Sequence, residues 1–408
     1  MIIYMAQATP ETSRMVGSLS GNPIPFIIPI ILTLILYKKH PISFKNKNLY
    51  KVLLIYTIWA ICSLVKYNIF TTEEYSYHFF MIYAILIAYI HNRIYGGKMI
   101  PIYENLLVLL SKISIILWLF AVFAPFSSSF FRLFPETRYG NSVIYLFTWM
   151  DPVKGQIYSG ILRNAGCSWE PGRFAIMITL AIFCNLCQYD IKFKHNKNIW
   201  WLLIALATTQ STTGYSITII LYIIFLIKKI NIKYIVIAIS IMLPTAYLIL
   251  QFDFMSKKII TKIQEAQNIS RLEQQFHWNS LHNKENTYLG SIDRFDAIVF
   301  EWQNVLNDPL LGYSRNTNHS YFSKNITSNY TLANGLIKTL GMYGCILGCY
   351  FFYLLYYSSS VIAASNKSPR KIALFTLFCL SAISYQILSV PIFTSFWFYG
   401  YFNKNKQH

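Results

Sequence analysis

The sequence predicts an all-α polytopic membrane protein with about 11 (10–12) transmembrane helices, forming one integral membrane domain over residues 1–408. Three observations carry this prediction. First, 55% of the 408 residues are hydrophobic, 17% are aromatic and 12% are charged, whereas about 25% of residues are charged in a typical soluble domain. Second, apolar stretches alternate with polar runs. Third, basic residues cluster in every second run. Together these observations exclude a soluble protein.

Each predicted span is an apolar stretch bounded by polar residues. A helix needs about 20 residues to cross the hydrocarbon core of a bilayer, so the shorter stretches must tilt, re-enter or be completed by flanking aromatic residues. The stretches lie near residues 23–37, 49–69, 75–92, 108–126, 174–189, 199–213, 214–227, 232–252, 330–357, 371–388 and 389–402.

The distribution of charge predicts the orientation of these spans. Lys and Arg cluster in the connections near residues 38–51, 93–98, 192–197, 228–233, 367–371 and 404–406. Basic connections stay in the cytoplasm, so we expect the N-terminus outside and the C-terminus in the cytoplasm. The net charge of +19 thus belongs to membrane loops, and nucleic acid is not an expected partner.

The same rule divides residues 199–227, which could otherwise be one long helix. Both flanks are basic, so the chain must turn back at the run Gln210–Gly214. Polar backbone at membrane depth is tolerated only where it is buried in protein or lines a wet cavity. The turn is therefore either the wall of a site or a plain hairpin.

Several chemistries are not expected from the sequence. The pair Cys184 and Cys187 has no second pair and no nearby His or Asp, so we predict no metal site. No phosphate-binding loop or dinucleotide fingerprint is present, and we expect no cofactor and no structural disulfide. The first 22 residues lack the pattern of a cleaved signal peptide.

Two outer connections, residues 127–173 and 253–329, are long where the cytoplasmic ones are short. Loops of this length are usually functional or disordered, and their aromatic residues and helical periodicity favour folded structure. In the second, apolar residues from Ile292 to Leu306 predict an amphipathic helix at the membrane surface, capped by Ser291 and ended by Asp308-Pro309. Residues 254–276 show a weaker pattern of the same kind.

The first outer connection contains the segment SGILRNAGCSWEPGRFA. Pro171 and Gly172 predict a rigid turn that places Glu170 and Arg173 at a helix N-terminus. Two interpretations stay open. Glu170 caps the helix while Arg163 and Arg173 meet lipid phosphates, or these arginines bind a diphosphate, for which the guanidinium fork is well suited.

The second outer connection adds further candidates. Arg294 and Arg315 could extend a diphosphate site, and His319 is either a surface histidine or a functional one. We expect His277 and His282 to belong to a solvated part of the loop.

Four short motifs link these candidates to a known family. They are an Arg-x-x-Gly and Glu-Pro-Gly pair before a span, a Ser-Thr-Thr-Gly turn, Asp-Pro-Leu-Leu-Gly-Tyr in the large outer loop, and the segment ANGLIKTLGMYG with Gly341 and Gly344. In these motifs, and in layout over the whole chain, the sequence resembles the Wzy-type O-antigen or capsular repeat-unit polymerases. That family shares a superfamily with the O-antigen ligases.

The resemblance implies a GT-C-like fold and an inverting, metal-independent glycosyltransferase in the bacterial inner (cytoplasmic) membrane. Its substrates would be undecaprenyl-diphosphate-linked glycans, and its partners membrane lipid and a chain-length regulator protein. Arg163 and Arg294 match the family's diphosphate-binding arginines. The family often has a His just before the Gly-x-x-Gly helix, but Asn329 lies near that place here, so the base is either Glu170 or His319.

Two other functions stay open at this point. An O-antigen ligase would use the same donor with a lipid A core acceptor. A transporter of lipid-linked glycans would show related halves and interrupted helices at the midplane, and no such symmetry is found in the sequence.

Overall fold

The computed structural model describes most of the helical part of the chain. It covers residues 35, 38, 42–68, 70, 72–124, 126–134, 142–144, 147–149, 162–194, 196–227, 290–292, 294–315, 317–325, 330–332, 334–366, 370–388 and 390–403. The stretch at 232–252, the helix predicted at 254–276, His277, His282 and all of 23–37 except Ile35 lie outside these residues.

The described residues are mostly helical and contain little strand. Thirteen helices are named here: α1 (Lys47–Tyr67), α2 (Thr72–Tyr95), α3 (Met99–Phe123), α4 (Ser127–Phe131), α5 (Pro171–Tyr189), α6 (Lys197–Thr209), α7 (Thr212–Leu226), α8 (Arg294–Asn307), α9 (Tyr321–Asn325), α10 (Leu336–Ser365), α11 (Ala373–Ser384), α12 (Pro391–Trp397) and α13 (Tyr399–Asn403). A 3-10 turn, Gly96–Lys98, joins α2 to α3.

Two short strand pairs lie in the segments that the sequence assigns to the outer connections. Strands β1 (Ser142–Ile144) and β2 (Phe147–Trp149) pair antiparallel, with Val143 opposite Thr148. Strands β3 (Gly290–Ile292) and β4 (Tyr330–Leu332) pair parallel, with Ser291 opposite Thr331. Both outer segments therefore contain ordered backbone among the residues described.

The chain has the character of an all-α membrane protein. Among the described residues, 4 helical segments are long and apolar enough to cross a membrane, and two further helices, α7 and α11, are apolar but shorter. The 4 segments are Lys47–Tyr67, Tyr77–Phe123, Pro171–Tyr189 and Leu336–Ser365. The second of them runs through α2 and α3.

Helix α5 lies at the centre of the bundle. Every residue from Pro171 to Cys187 is buried, and the helix packs against α3, α6, α7 and α11. In contrast, α1 exposes a stripe of Leu54, Ile58, Ile61 and Val65, at the spacing of one helix face. The apolar stretches thus divide into helices buried in protein and helices with one apolar face left uncovered.

Local sequence signals explain where several helices begin and end. The side chains of Asn46, Asn196 and Ser211 accept hydrogen bonds from the first turns of α1, α6 and α7, as N-cap residues do. Pro171 occupies the first position of α5, where its missing N–H costs nothing. Gln210 adopts a left-handed conformation between α6 and α7, which confirms the turn predicted inside residues 199–227.

Two details differ from the sequence prediction. Ser291 does not cap α8, because it lies in β3 and the helix begins at Arg294. The apolar stretch 389–402 is not one helix, because it is interrupted at Phe398 and is buried from Val390 to Gly400. Apolar composition alone cannot separate a lipid-facing helix from one buried among other helices.

Helix ends that the sequence assigns to one side of the membrane contact each other. At one end of the bundle, Lys66 at the end of α1 forms an ion pair with Asp308, and Thr213 at the start of α7 contacts Ser384 at the end of α11. At the opposite end, Asn48 in the first turn of α1 donates to the Tyr401 carbonyl oxygen. We call the first the motif end, because the four sequence motifs lie there.

Candidate active site at the motif end

Residues 382–386, just at the end of α11, join three of the motifs. A Cβ added to Gly172 would lie 2.3 Å from the Tyr385 hydroxyl, and one added to Gly335 would lie 2.2 Å from the Tyr385 carbonyl oxygen. The Gly335 N–H donates to the Ala382 carbonyl at 2.6 Å. The glycines of Glu-Pro-Gly and Ala-Asn-Gly are therefore required by close packing on this one segment.

The Ser-Thr-Thr-Gly turn packs into the same place. The Thr213 and Ser384 hydroxyls lie 3.1 Å apart, and a Cβ on Gly214 would come within 2.7 Å of the Ala175 Cβ. The N-termini of α5, α7 and α10 thus converge around the end of α11. Each carries the positive end of a helix dipole, so this junction favours negative charge.

Glu170 and Arg173 flank the turn that starts α5. Glu170 is the N-cap residue, half-buried, and its side chain makes no capping hydrogen bond, so the structure does not support the helix-cap interpretation. The Arg173 guanidinium lies over the Trp169 ring, 3.8 Å from its centroid, and the residue is buried. This cation–π contact holds a positive charge beside the helix N-terminus.

Arg163 is held against the end of α6. Its Nε donates to the Thr209 carbonyl oxygen at 3.0 Å, and the neighbouring Asn164 N–H donates to the Thr208 carbonyl at 2.9 Å. A shallow cleft opens beside them, between α3 and the β1–β2 pair. Arg163 and Asn164 both line this cleft.

The segment Asp308–Arg315 is docked into a break in α10. Gly344 interrupts the helix with φ 67° and ψ 174°. The Tyr313 N–H donates to the Gly341 carbonyl at 2.9 Å, and the Cys345 N–H donates to the Pro309 carbonyl at 2.7 Å. The Asp-Pro-Leu-Leu-Gly-Tyr motif therefore satisfies backbone groups that the break leaves free.

Glycine is required on both sides of this contact. Gly312 has φ +70°, and a Cβ there would lie 2.4 Å from the Gly341 carbonyl oxygen. A Cβ on Gly344 would lie 2.0 Å from the Leu310 carbonyl oxygen. Because the groups in the way are backbone atoms, they cannot move aside as a side chain could.

Arg315 follows this docked segment and is 8% exposed. It hydrogen-bonds the Tyr56 side chain and interacts electrostatically with Tyr343 and Tyr77, while its Nε and Nη1 atoms are buried without a hydrogen-bond acceptor. A buried cation with unpartnered N–H groups is costly. Arg315 is thus prepared to receive an anionic group.

A buried carboxylate lies on the other side of the docked segment. Glu301 on α8 is fully buried, accepts a hydrogen bond from Asn304 at 2.8 Å and lies within 3.1 Å of a Cβ placed on Gly341. Burial raises the pKa of Glu301 to about 7, against the opposing influence of Lys338, Asn304 and Tyr313. Lys338, on α10, is also buried.

His319 lies at the end of α1. The His319 ring stacks on the Tyr67 ring with centroids 4.6 Å apart. The Nζ of Lys324 lies 5.1 Å from the centroid of the Tyr67 ring. The Tyr67 hydroxyl lies within 3.0 Å of both Asp308 Oδ2 and the Gly312 carbonyl oxygen. Tyr67 therefore connects His319 to the docked segment.

The predicted site residues thus fall into two groups at the same end of the bundle. Glu170, Arg163 and Arg173 surround the start of α5, whereas Arg315 and His319 lie around the docked segment. Helix α10 joins the groups, because Gly335 contacts the first and Gly341 to Gly344 the second. The six to nine residues of α10 between these glycines span about 9–14 Å. The backbone of Arg294 begins α8, and its side chain lies outside the described residues.

The sequence analysis missed four residues of this region. Tyr385, Glu301 and Lys338 lie in apolar or amphipathic helical patterns that gave no sign of their position, and Trp149 lies on β2 in the first outer connection, where no pattern singled it out. Glu301 and Lys338 could have been found as charged residues within otherwise apolar helix faces. Within the ranges that the structure describes, no group of three or more His, Cys, Asp or Glu residues is placed to hold a metal ion.

Comparison with known proteins leaves the identity of the chain open: no protein-family model matches it, and no curated protein matches it significantly.

Proposed function

We propose that the chain is a glycosyltransferase that polymerises undecaprenyl-diphosphate-linked oligosaccharide repeat units at the outer face of a bacterial inner membrane, without a metal ion. The observation that carries the proposal is the convergence of motifs from residues 163–173, 211–214, 308–315 and 334–344 at one end of the helix bundle. These are the motifs by which the sequence resembles the Wzy-type polymerases. The proposed architecture has about 11 spans and a GT-C-like fold.

The chemistry of the motif end suits a diphosphate leaving group. Transfer from a lipid diphosphate needs stabilisation of the negative charge that develops on the departing oxygen, and fixed guanidinium groups supply it without a metal. Arg163, Arg173 and Arg315 are held in place by contacts with the protein. We assign the diphosphate to these arginines, with Arg294 as a further candidate.

The acceptor hydroxyl needs at most one general base. Glu170 is half-buried at the N-terminus of α5, close in sequence to Arg173. His319 lies among polar groups near Arg315 in sequence and is the better candidate. In this proposal Glu170 acts by orienting the adjacent arginines.

Substitution of Arg163 tests the proposal directly. In cells that lack their own polymerase, the wild-type chain should restore long polymer, seen as a ladder on a gel. Arg163→Ala should abolish the ladder at unchanged protein level, and Arg163→Lys should rescue poorly because a point charge lacks the fork. An unaffected Ala variant would contradict the role of Arg163.

The same cells separate polymerase from ligase. A ligase uses the same donor but attaches glycan to lipid A core, so it would restore capped lipopolysaccharide in a ligase-deficient strain and leave the polymerase-deficient strain without a ladder. The proposed polymerase gives the reverse pattern. A chain-length regulator that acts as a partner would narrow the range of polymer lengths in the ladder, and the ladder would still form without it.

The proposed orientation has its own test. The N-terminus should lie outside and the C-terminus in the cytoplasm, so cysteines placed at the exposed positions Lys45 and Lys197 should resist membrane-impermeant reagents in intact cells. A cysteine at the exposed position Asn325 should react. Reaction at Lys197 with protection at Asn325 would invert the orientation.

A further inference from the structure

The turn that carries His319 is held from two sides. It is a 3-10 turn, Thr317–His319, that leads into α9, and on one side the His319 ring stacks on Tyr67. On the other side, the Tyr321 N–H, the first of α9, donates to the Asn304 side chain of α8 at 2.6 Å. The N–H groups of a first helical turn have no partner within their own helix. Asn304 therefore supplies an acceptor that α9 lacks.

The orientation of the Asn304 amide is set by its two neighbours. A backbone N–H can only donate, so the Asn304 oxygen must face Tyr321 and its NH₂ group must point away from it. The Asn304 Nδ2 donates to Glu301 Oε2 at 2.8 Å, one turn earlier on the same face of α8. Glu301 and Asn304 are 0% and 2% exposed, so both bonds are shielded from bulk water.

The same pair lies where α8 packs on the glycine motif of α10. A Cβ on Gly341 would lie 3.1 Å from Glu301 Oε2 and 3.2 Å from the Asn304 Cβ, so the missing side chain lets the two helices approach closely. On the opposite side, Phe322 of α9 packs edge-on against Phe300 of α8, with centroids 4.8 Å apart. Helix α8 thus fixes the start of α9 relative to α10.

The Glu301 carboxyl is the group in this chain of contacts whose charge can change. It faces Lys338 on α10 and the Tyr313 phenol on the docked segment, and burial raises the pKa of Glu301 to about 7. Lys324, the charged residue of α9, is exposed, and β4, which also packs on α8, carries no charged residue. Asp296 projects about 140° away from Glu301 around α8.

We propose that Glu301 and Asn304 are positioning residues that hold His319 ready to take a proton from the acceptor hydroxyl. Glu301 orients Asn304, Asn304 fixes the start of α9, and the preceding turn carries His319 to Tyr67. In the reaction, the hydroxyl oxygen bonds to the anomeric carbon, the diphosphate leaves with the electron pair of the broken bond, and the imidazole takes the proton. This inference rests on the proposed function, in which His319 is the base.

Asn304→Asp tests the contact with Glu301 without changing the size of the side chain. Its second oxygen would face the Glu301 carboxylate, and two carboxylates that share a site do not ionise together easily. While they share one proton the contact should persist, and once both are charged they should repel each other and free the Tyr321 N–H. We expect the polymerisation rate, divided by that of the wild type, to be near one at about pH 6 and to fall about tenfold by about pH 9.

A second readout follows the His319 ring without any polymerisation. The full-length protein in lipid nanodiscs is treated with diethyl pyrocarbonate, and acylation of His319 is measured by mass spectrometry. In Asn304→Asp the acylation rate, divided by that of the wild type, should rise roughly threefold or more between about pH 6 and 9, since a freed ring leaves its stack on Tyr67. Division by the wild-type rate at each pH cancels the titration of His319 itself.

Two further variants make the test specific. Asn307→Asp is the matched control, because Asn307 is exposed one turn later on α8, and both ratios should stay constant with pH. The double variant Glu301→Gln with Asn304→Asp exchanges donor and acceptor, since the Gln amide can donate to the Asp carboxylate. It should return both ratios to near one at every pH, an effect that requires direct contact between the two side chains.

Three results would overturn the positioning role. They are a constant ratio for Asn304→Asp in either readout, no restoration by the double variant, or loss of folded Asn304→Asp at pH 6 on size-exclusion chromatography, where the pair should be intact. If the wild-type chain does not polymerise, the proposed function fails, and the acylation ratios alone decide whether the pair positions His319. If the wild type polymerises and the acylation ratio stays constant, the positioning role fails alone.

Discussion

Two buried ionisable groups at opposite ends of the bundle differ in how far the protein satisfies their hydrogen-bonding atoms. Glu104, in the second turn of α3, is 1% exposed, and its carboxylate accepts hydrogen bonds from the amides of Asn185, Gln188 and Asn198. Asn185 and Asn196 also bond to each other in both directions. Arg315, at the motif end, is almost as deeply buried, yet two of its N–H groups have no acceptor.

The difference distinguishes a structural polar group from one prepared for a ligand. The Glu104 cluster is complete within the protein and ties α3, α5 and α6 together, so nothing needs to be added. Arg315 keeps two buried nitrogen atoms without an acceptor, an arrangement that favours an anionic ligand. In the proposed function the diphosphate meets Arg315, whereas the Glu104 cluster contributes to stability.

Replacement of Arg315 should have the largest effect on activity. Arg315→Gln removes the charge beside Tyr56 and Tyr343, and we expect polymer formation to fall more than about 100-fold, as when a transition-state charge contact is lost. Protein level should change little, because the buried charge costs stability. Arg132→Gln, at an exposed arginine in the first outer connection, is the control. Normal polymer formation by Arg315→Gln would contradict the role of Arg315 and remove the functional difference between the two ends.

The docking of Asp308–Arg315 should be nearly as sensitive. Gly312→Ala places a Cβ at φ +70° and 2.4 Å from a backbone carbonyl, so we expect a loss of several kcal/mol and little folded protein. Gly97→Ala is the matched control, because its nearest contact would be the Tyr399 hydroxyl at 4.0 Å. Detergent-stable protein by size-exclusion chromatography measures both variants, and equal yields would refute the docking.

Disruption of the Glu104 cluster should lower stability without altering chemistry. Glu104→Gln turns an acceptor oxygen into a donor that faces amide donors, which we expect to cost about 3 kcal/mol. The apparent melting temperature should fall, while polymer formed per folded molecule stays normal. A loss of activity at full stability would show that this end is functional too.

The smallest effect concerns pH and the Glu301 carboxyl. Burial raises the pKa of Glu301 to about 7 in the folded protein, whereas the ordinary pKa of a Glu side chain in the unfolded chain is near 4.3. Between these pH values the folded protein keeps a proton that the unfolded chain has already released. Stability should therefore fall as pH rises from about 4.5 to 7 and then level off, by at most about 4 kcal/mol. Glu301→Gln should abolish this slope in melting curves recorded between pH 5 and 8. A variant that keeps the slope would exclude Glu301 as its source.

The sequence predicted local features well and their relative positions poorly. The turn at Gln210, the start of α5 at Pro171 and the end of α8 at Asn307 follow from turn and capping residues, which act over a few positions. Local signals could not show that α5 is central or that residues 389–402 form a buried, interrupted segment. Those outcomes depend on which helices pack together.

The candidate site shows the same division. Arg163, Glu170, Arg173, Arg315 and His319 stand out in sequence because charged residues are rare in such a chain. Tyr385, Glu301 and Trp149 do not stand out, since they pack against Gly172, Gly341 and Phe131, which lie more than 15 positions away. Aromatic residues are so common here that no composition argument could single out these ones.

The break in α10 at Gly344 has a consequence for how the protein is made. The N–H of Cys345 and the carbonyl of Gly341 bond to residues 309 and 313, and unsatisfied backbone groups are strongly disfavoured within a membrane. In the proposed orientation, residues 309–315 are exported before α10 emerges during synthesis. We therefore expect the helix to reach its final depth only once it meets this segment, so that membrane insertion and loop docking form a single coupled step in biogenesis.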